Sequence, residues 1–398
     1  LVFFLAKIWD AFTDPIMGYI ADNTSTRWGK FRPYILFGSV PALIMIILCF
    51  TSPDLSQTGK FYWALFTYIT FTTLYTIIAI PVGSLIPAMT QDRDERTSLA
   101  SFRYLGASSG SIAVAVLTLP LVGLFSSPQF GFPIVVGCLA FLGAIFAFLC
   151  FFNTKEVYSK PYEETIGIKK VTKMVFNNYP LHFVILALLT TWVANNIKQL
   201  TVVYFVKYNL QLEAYFSPIL LGVILQIMFG AYLVNLIKHR FEKKTLFMIG
   251  TFLYVITDLI IYYITGYENF WLLAFIATFG FIGFGMAGVM AWSMIADTIE
   301  YGEWKSGFRA EGVLNAAHVF VFKLSVGFSA WLAGVILEST DYVANAIDQS
   351  PETLNGLFIM GYIFPAVAGT IAIIVTYFNK YDSNFYERIF SELKQRQS

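Results

Sequence analysis

Two carboxylates one helical turn apart are the residues whose types and spacing point most directly to chemistry. Asp10 and Asp14 lie in the first apolar run, with Thr13 adjacent and Lys7 three positions before Asp10. Positions i and i+4 share one face of a helix, and acids within hydrocarbon are costly and typical of functional sites. Two such acids resist joint ionisation unless a cation or proton compensates them. The pair and Thr13 therefore predict a cation or proton site; a structural ion pair with Lys7 is the alternative.

Single charges occur in other apolar runs. Lys323, in HVFVFKLSVGFSAWLAG, lies more than ten residues from either end of its predicted span. A central lysine needs an anionic partner, for which the Asp pair is the candidate, whereas snorkelling to the interface is the alternative. Arg103, just inside its span, is open to both interpretations. Asp258, in YVITDLIIYY, receives no role from the sequence.

Amide and indole side chains gather in one later span. Trp192, Asn195 and Asn196 occur there, followed by Lys198 and Gln199. Amides can bond sugar hydroxyls while an aromatic plane covers the apolar face of a sugar ring. The same side chains can instead join neighbouring helices. A sugar-binding patch is the functional interpretation.

The composition is that of a membrane protein. Hydrophobic residues make up 57% of the 398 and charged residues only 13%, and the mean hydropathy is +0.66. The net charge of +1 gives no indication of a nucleic-acid partner. Continuous apolar runs of roughly 20 residues predict helices that span a bilayer, because a lipid-exposed backbone must satisfy its own hydrogen bonds. Eleven such spans are predicted, near residues 1–22, 33–51, 61–89, 97–125, 131–152, 181–208, 214–237, 245–265, 270–297, 310–338 and 354–378.

The positive charges predict the topology. Alternate loops and the C-terminal tail hold 20 of the 26 Lys and Arg residues, whereas the remaining loops hold only Lys60, so the first set is cytoplasmic. Eleven spans then place the first residue outside, and we expect one further helix before it. The long cytoplasmic loop predicts two bundles of six helices. The predicted divisions are an N-terminal bundle at 1–152 (helices 2–6), a middle loop at 153–178, a C-terminal bundle at 179–379 (helices 7–12) and a cytoplasmic tail at 380–398.

Enzyme signatures are absent from the sequence. It contains no HExxH motif, P-loop or GxSxG nucleophile elbow. The three cysteines, all in apolar runs, lack metal-ligand spacing. We therefore expect no enzymatic activity and no cofactor.

Two longer segments carry a resemblance to a known family. WDAFTDPIMGYIADNTSTRWGKFRPYI and ADTIEYGEWKSGFRAEG resemble the two signature regions of the glycoside-pentoside-hexuronide:cation symporters, the melibiose-permease relatives within the major facilitator superfamily. The resemblance extends along essentially the whole chain. It implies an all-α polytopic fold of twelve helices in two bundles, with the first helix absent here, and a location in the bacterial inner membrane.

The resemblance also implies roles for individual residues. The family's cation site corresponds to Asp10, Thr13 and Asp14, and Thr13 stands where melibiose permeases have Asn, so Na⁺ and H⁺ both stay open as the coupling ion. Lys323 matches the family's lysine in the eleventh helix. Arg103 and Trp292 match positions associated with the sugar or the inner gate. From their residue types alone, Lys7, Trp192, Asn195 and Asn196 are further candidates for sugar binding or coupling. Ala79 stands near the position of the melibiose permeases' sugar-binding Asp, so galactoside specificity is not transferred.

The function implied is symport of a sugar with Na⁺ or H⁺ by alternating access. A glycoside, pentoside or glucuronide is the expected substrate, and the protein is expected to act as a monomer in the bilayer. The alternatives are a carrier of lipid-like or other amphiphilic cargo, and a membrane sensor that binds a sugar without transporting it.

Overall fold

The computed structural model describes residues 2–157, 167–212, 215–343, 346, 348–379 and 383–397 and is built of helices, without a strand among those residues. Three of the long helices contain or end in a π-helical turn, labelled π1 to π3. The elements in chain order are α1 (Val2–Asp22), α2 (Arg32–Cys49), α3 (Gln57–Met89), α4 (Arg93–Val122), α5 (Pro128–Asn153), α6 (Ile168–Asn177), α7 (Tyr179–Tyr204), π1 (Phe205–Asn209), α8 (Phe216–Ile237), α9 (Lys243–Ile260), π2 (Ile261–Thr265), α10 (Phe270–Ser306), α11 (Glu311–Ser339), α12 (Pro351–Phe358), π3 (Ile359–Ile363), α13 (Phe364–Phe378) and α14 (Ser383–Gln397).

Ten helices of the described residues are long and apolar enough to cross a membrane, and they coincide with the second to eleventh predicted spans. The last of them is continuous from α12 through π3 into α13. Helix α1 occupies the first predicted span and has 21 residues. It is less uniformly apolar than the other ten because Lys7, Asp10 and Asp14 lie within it. The all-α membrane fold predicted from the sequence is thus confirmed.

The packing divides the chain into two compact units. The first comprises residues 1–96, 109–177 and 302–320, and the second comprises 97–108, 178–301 and 321–398. In the first unit α3 packs on α1 and α2, and α2 packs on α5; in the second, α13 packs on α7 and α9. The bundle boundaries read from the sequence stay a prediction. The join of α10 and α11 belongs to the first unit, and residues 97–108 of α4 belong to the second.

Glycines allow α8, α9 and α10 to approach backbone to backbone. A Cβ atom on Gly230 of α8 would collide with the carbonyl oxygen of Ile282 of α10, and one on Gly250 of α9 would collide with that of Gly283. Gly285 of α10 meets the backbone of α8 in the same way. Close contact of this kind is how membrane helices gain packing energy where lipid offers no hydrophobic driving force.

Two amphipathic helices lie in segments for which the sequence predicted only a loop and a tail. Helix α6 has 10 residues within the middle loop, whose residues 158–166 lie outside the described residues. Helix α14 forms most of the tail and buries Tyr386, Ile389 and Leu393. These positions recur at the spacing of one helix face, which explains why the segment folds as a helix.

Candidate functional site

The two acids of α1 are buried side chains. Asp10 is 1% exposed and Asp14 is 0% exposed. Thr76 of α3 donates a hydrogen bond from Oγ1 to Asp14 Oδ1 at 2.8 Å, so α3 positions one carboxylate of the pair. The i, i+4 spacing and the packing of α1 on α3 bring three side-chain groups with oxygen atoms to one place. Oxygen ligands of this kind suit a small hard cation, and a carboxylate also accepts a proton.

Thr13 and Lys7 differ from the acids in what the structure records. Thr13 is half-buried, and its hydroxyl lies 3.3 Å from the carbonyl oxygen of Trp9 and 3.5 Å from that of Asp10, so it bonds to its own helix. Thr76, which the sequence analysis did not single out, supplies the hydroxyl on Asp14. The side chain of Lys7 lies outside the described residues. The predicted alternative of a Lys7 ion pair therefore stays a prediction.

Arg103 and Trp292 come together in the second unit. The guanidinium carbon of Arg103 lies 4.1 Å from the centroid of the Trp292 ring, which is a cation–π distance. Arg103 is on the part of α4 that packs in the second unit, and Trp292 is on α10. Two residues that the resemblance assigns to the sugar or the inner gate therefore form one contact.

The polar patch of α7 is shared among several neighbours. Asn196 donates from Nδ2 to Ser325 Oγ of α11 at 3.0 Å, whereas Lys198 forms an ion pair with Asp258 of α9. Consecutive helix positions turn by 100°, so residues 196 and 198 point in nearly opposite directions. Asn195 is buried at 6% exposure. One patch in the sequence thus becomes two polar contacts with different helices.

Trp192 presents an indole between aromatic rings. Its ring contacts Phe322 of α11 at a centroid distance of 4.9 Å and Phe284 of α10 at 6.2 Å, both edge to face. Its Nε1 is buried and meets no hydrogen-bond acceptor among the described residues. An indole N–H in this position is available to a ligand hydroxyl.

Lys323 lies on the same helix as Phe322 and is half-buried, and its predicted pairing with the acids of α1 stays a prediction.

Acidic side chains in the two signature segments bind backbone and basic groups. Asp22, at the end of α1, accepts hydrogen bonds from the N–H groups of Gly312 at 2.7 Å and Val313 at 2.8 Å, at the N-terminus of α11. A carboxylate there satisfies donors that the helix itself leaves open and interacts favourably with the helix dipole. A Cβ on Gly18, one turn earlier, would lie 2.7 Å from the carbonyl oxygen of Gly312, so α1 and α11 meet closely.

The loop after α1 is held in a similar way. Glu156 accepts hydrogen bonds from the backbone N–H groups of Lys30, Phe31 and Arg32 at 2.8 to 2.9 Å. Gly29 precedes them with a φ of 106°, a backbone conformation that residues other than glycine rarely adopt. The basic loop RWGKFRP is therefore fixed by an acid about 125 positions further along the chain.

The second signature segment contains two ion-pair clusters. Asp297 accepts both a 2.7 Å and a 2.9 Å bond from Lys243 Nζ, within the second unit. Arg309 bonds Glu303 at 2.8 Å and Glu311 at 2.5 Å, within the first unit. Three acidic residues of this segment, which a positive-inside loop does not explain, thus act as partners of buried basic groups.

No cluster of three His, Cys, Asp or Glu side chains that could hold a metal ion occurs among the described residues. An ion at the acid pair would instead rely on two carboxylates with hydroxyl and carbonyl oxygens. Such a set has few ligands for a permanently held divalent metal. A Ca²⁺ site, for example, uses six or more oxygens. It is compatible with a monovalent ion or a proton that binds and leaves.

Comparisons with known proteins identify the class. The family model described as MFS/sugar transport protein matches residues 1–383. An uncharacterized symporter of Bacillus subtilis, YjmB, is 34% identical, with 99% of this chain and 86% of the relative covered. The isoprimeverose transporter of Lactiplantibacillus pentosus is 31% identical, with 99% and 83% covered. The crystal structure of the transporter FucP in the outward conformation shares the fold, with a TM-score of 0.64, 11% identity, and 95% of this chain and 89% of that chain covered.

The matching family model, the bacterial relatives and the shared fold together define a transporter of the major facilitator class, located in the bacterial inner membrane. The chain belongs to the family of MFS sugar transport proteins. The resemblance and the fold inferred from the sequence are both confirmed.

Proposed function

We propose that this protein couples the transport of a sugar to Na⁺ or H⁺, and that the acids of α1 bind the coupling ion. The main support for this proposal is the burial of Asp10 and Asp14, with the hydroxyl of Thr76 2.8 Å from Asp14. Carboxylates inside a membrane bundle are retained at a considerable cost, and their usual roles are ion and proton pathways. The designation of a relative as a symporter supports the same function.

The sugar is proposed to bind the second unit through Trp192, Asn195 and Asn196, with Arg103 and Trp292 as further contributors. The support is the buried indole N–H of Trp192 and the two aromatic rings beside it. Aromatic faces cover the apolar side of a sugar ring, and amides bond its hydroxyls. A glycoside or pentoside is favoured because one relative is named as a transporter of isoprimeverose.

The coupling follows from charge compensation. A cation or proton at the acids lowers the cost of their buried charge, and the loaded carrier can then change the side of the membrane to which it is open. If the ion tightens the sugar, the sugar must tighten the ion by the same factor. Lys7 and Lys323 are proposed to contribute to this coupling, since each is a basic group that could partner a buried carboxylate. The protein is proposed to act as a monomer and to release its sugar chemically unmodified.

Transport into proteoliposomes tests the proposal. Purified protein is given a panel of labelled glycosides, pentosides and glucuronides under an imposed Na⁺ gradient or, separately, a pH gradient. One of the two gradients is expected to drive accumulation of at least one sugar. Asp14→Asn should abolish accumulation, while Asp54→Asn, in an exposed loop, should leave it intact.

Two results would contradict parts of the proposal. Full gradient-driven accumulation by Asp14→Asn would remove the acid pair from the coupling. Sugar binding without counterflow would instead favour a sensor. Analysis of the released sugar tests for enzymatic conversion in the same samples.

A further inference from the structure

A cavity of about 660 Å³ lies within the second unit, apart from the residues proposed to bind the sugar. It is bounded by α7, α8 and α10, with π1 and π3 contributing at one side. Its walls are mostly apolar and include Ile219, Val223, Leu273, Ala277 and Phe281. The volume is in the range of pockets that enclose small organic molecules.

Lys198 is the charged residue among those that line this cavity. The other polar side chains of the wall include Thr201, which bonds to its own helix at Ile197, and Gln226, which bonds to Thr278. Tyr215, Tyr362 and Trp271 also line the cavity and are mainly aromatic surface. Lys198 is thus the one charged group that the cavity offers to a ligand among the lining residues.

The surroundings of Lys198 leave hydrogen-bonding capacity unused. Its side chain is paired with Asp258, and the rings of Tyr254, Phe281 and Tyr362 lie 4.7, 5.2 and 5.0 Å from Nζ. An ammonium group has three N–H donors, and among the described residues one oxygen, Asp258 Oδ1, accepts from it. Asp258 is 0% exposed, and its Oδ2 has no hydrogen-bond partner in the same described set.

The net charge of this pair selects the kind of ligand. Lys198 and Asp258 together are neutral, so an anionic ligand would leave one uncompensated negative charge in the interior, and a cationic ligand would leave one uncompensated positive charge. A hydroxyl group brings no charge, accepts from an N–H donor and can donate in turn. The apolar walls require that the rest of the ligand be apolar.

The backbone around this pair is irregular in three places. Phe205 of π1, Ile261 of π2, and Phe358 and Tyr362, just before and within π3, belong to one buried cluster. Gly361 of π3 also lines the cavity. Single π-helical turns inside α-helices are found frequently at functional sites. Their convergence here is an observation independent of the ion pair.

We propose that this cavity is a second binding site, which takes a neutral amphiphile with its hydroxyl group on Lys198 and its apolar body between α8 and α10. A long-chain alcohol or the alkyl part of a hydroxylated lipid has this chemistry. The site does not depend on the proposed sugar symport. Of the polar patch read from the sequence only Lys198 lines the cavity, and the residues proposed to bind the sugar or the coupling ion do not.

Photolabelling in lipid nanodiscs tests the site with three probes that share one diazirine-bearing dodecyl chain. Their head groups are a hydroxyl, a carboxylate and a trimethylammonium. The alcohol probe is expected to label peptides of α8 and α10 at least fivefold more than either charged probe. Equal labelling by all three would overturn the proposed chemistry.

A substitution that fills the cavity, compared with the same substitution elsewhere, tests where the probe binds. A Cβ on Gly222 of α8 meets no atom within 4 Å, and Gly222 lines the cavity. Gly143 of α5 is exposed and equally open. Gly222→Trp should reduce labelling of α8 and α10 by at least fivefold, and Gly143→Trp should not. Undiminished labelling of Gly222→Trp would refute the location.

The double variant Lys198→Met with Asp258→Leu removes both charges and avoids leaving one buried charge unpaired. It is expected to label equally with the alcohol probe and with an uncharged probe that lacks the hydroxyl, whereas the wild-type protein prefers the alcohol. A retained preference would exclude the ion pair as the recognition element. Should the double variant fail to fold, the result for Gly222→Trp still decides whether the site exists.

Discussion

Replacement of Asp22 by Asn is expected to loosen the contact between α1 and α11. Asp22 is 2% exposed, and its two carboxylate oxygens accept the N–H groups of Gly312 and Val313 at 2.7 and 2.8 Å. Transport by alternating access requires that the cytoplasmic ends of helices from the two sequence halves separate and rejoin. Asp22 and α11 come from opposite halves, so this contact is expected to form whenever the cytoplasmic side closes.

The free energy that the α1–α11 contact loses in Asp22→Asn follows from these hydrogen bonds. Asn retains one oxygen acceptor and turns an N–H donor toward the second backbone N–H, so one bond to a charged group is lost. Bonds to charged groups contribute about 1.5 to 3 kcal/mol, and the lost negative charge at the N-terminus of a helix adds about 0.3 to 1 kcal/mol. A total of about 2 to 4 kcal/mol corresponds to a shift of roughly 30- to 800-fold between contact and separation.

Cysteine accessibility measures this equilibrium. In a background without Cys49, Cys138 and Cys150, a single cysteine replaces Ala310, which is 2% exposed just before α11. We expect a membrane-impermeant maleimide, added from the cytoplasmic side, to react at least tenfold faster when Asp22→Asn is present. Asp54→Asn, in an exposed loop, is the matched control and should leave the rate unchanged.

An unchanged labelling rate in Asp22→Asn would refute the reasoning, provided that the protein remains folded by its thermal transition. A slower rate would refute it as well, because it would mean that the carboxylate opposes the contact.

Further predictions concern close packing, a buried ion pair and the proposed sugar site. Gly18→Val should crowd Gly312 at a cost of about 1 to 3 kcal/mol. Maximal uptake should fall several-fold while sugar binding in detergent persists. An equal loss of uptake in Gly143→Val would contradict this prediction. Asp297→Leu removes the two bonds that the carboxylate accepts from Lys243 Nζ. This loss from a buried ion pair should lower the thermal transition, at about 3 to 5 kcal/mol, whereas adding Lys243→Met should recover most of the loss. Trp192→Phe keeps the ring but removes the indole N–H, and sugar affinity, measured by equilibrium binding, should fall about five- to tenfold without a change in thermal stability.

The transmembrane helices were predictable because hydropathy and loop charge are properties of local sequence. A run of about 20 apolar residues has few alternatives in a bilayer, and the ten apolar helices follow the predicted spans. The same locality explains why Asp10 and Asp14 could be recognised as a pair. Both lie on one helix at a spacing that fixes their common face.

Contacts between helices were not predictable in this way. Asp258 had no role in the sequence because its partner, Lys198, lies 60 positions earlier on another helix. Thr76 and Glu156 likewise gain their roles only from the rotation and depth of neighbouring helices. The signal for Asp22 was present, since an acid at a helix end suits the N-terminus of another helix, but the sequence does not say which helix that is.

The glycine contacts among α8, α9 and α10 have a mechanical consequence. Side chains that interdigitate can change rotamer and let helices slide past one another, but backbone held against backbone has no such freedom. These three helices should therefore behave as one stiff lever during the transport cycle, with strain transmitted along it and little absorbed within it. Elastic deformation would then concentrate where α7, α9 and α12–α13 carry their π-helical turns.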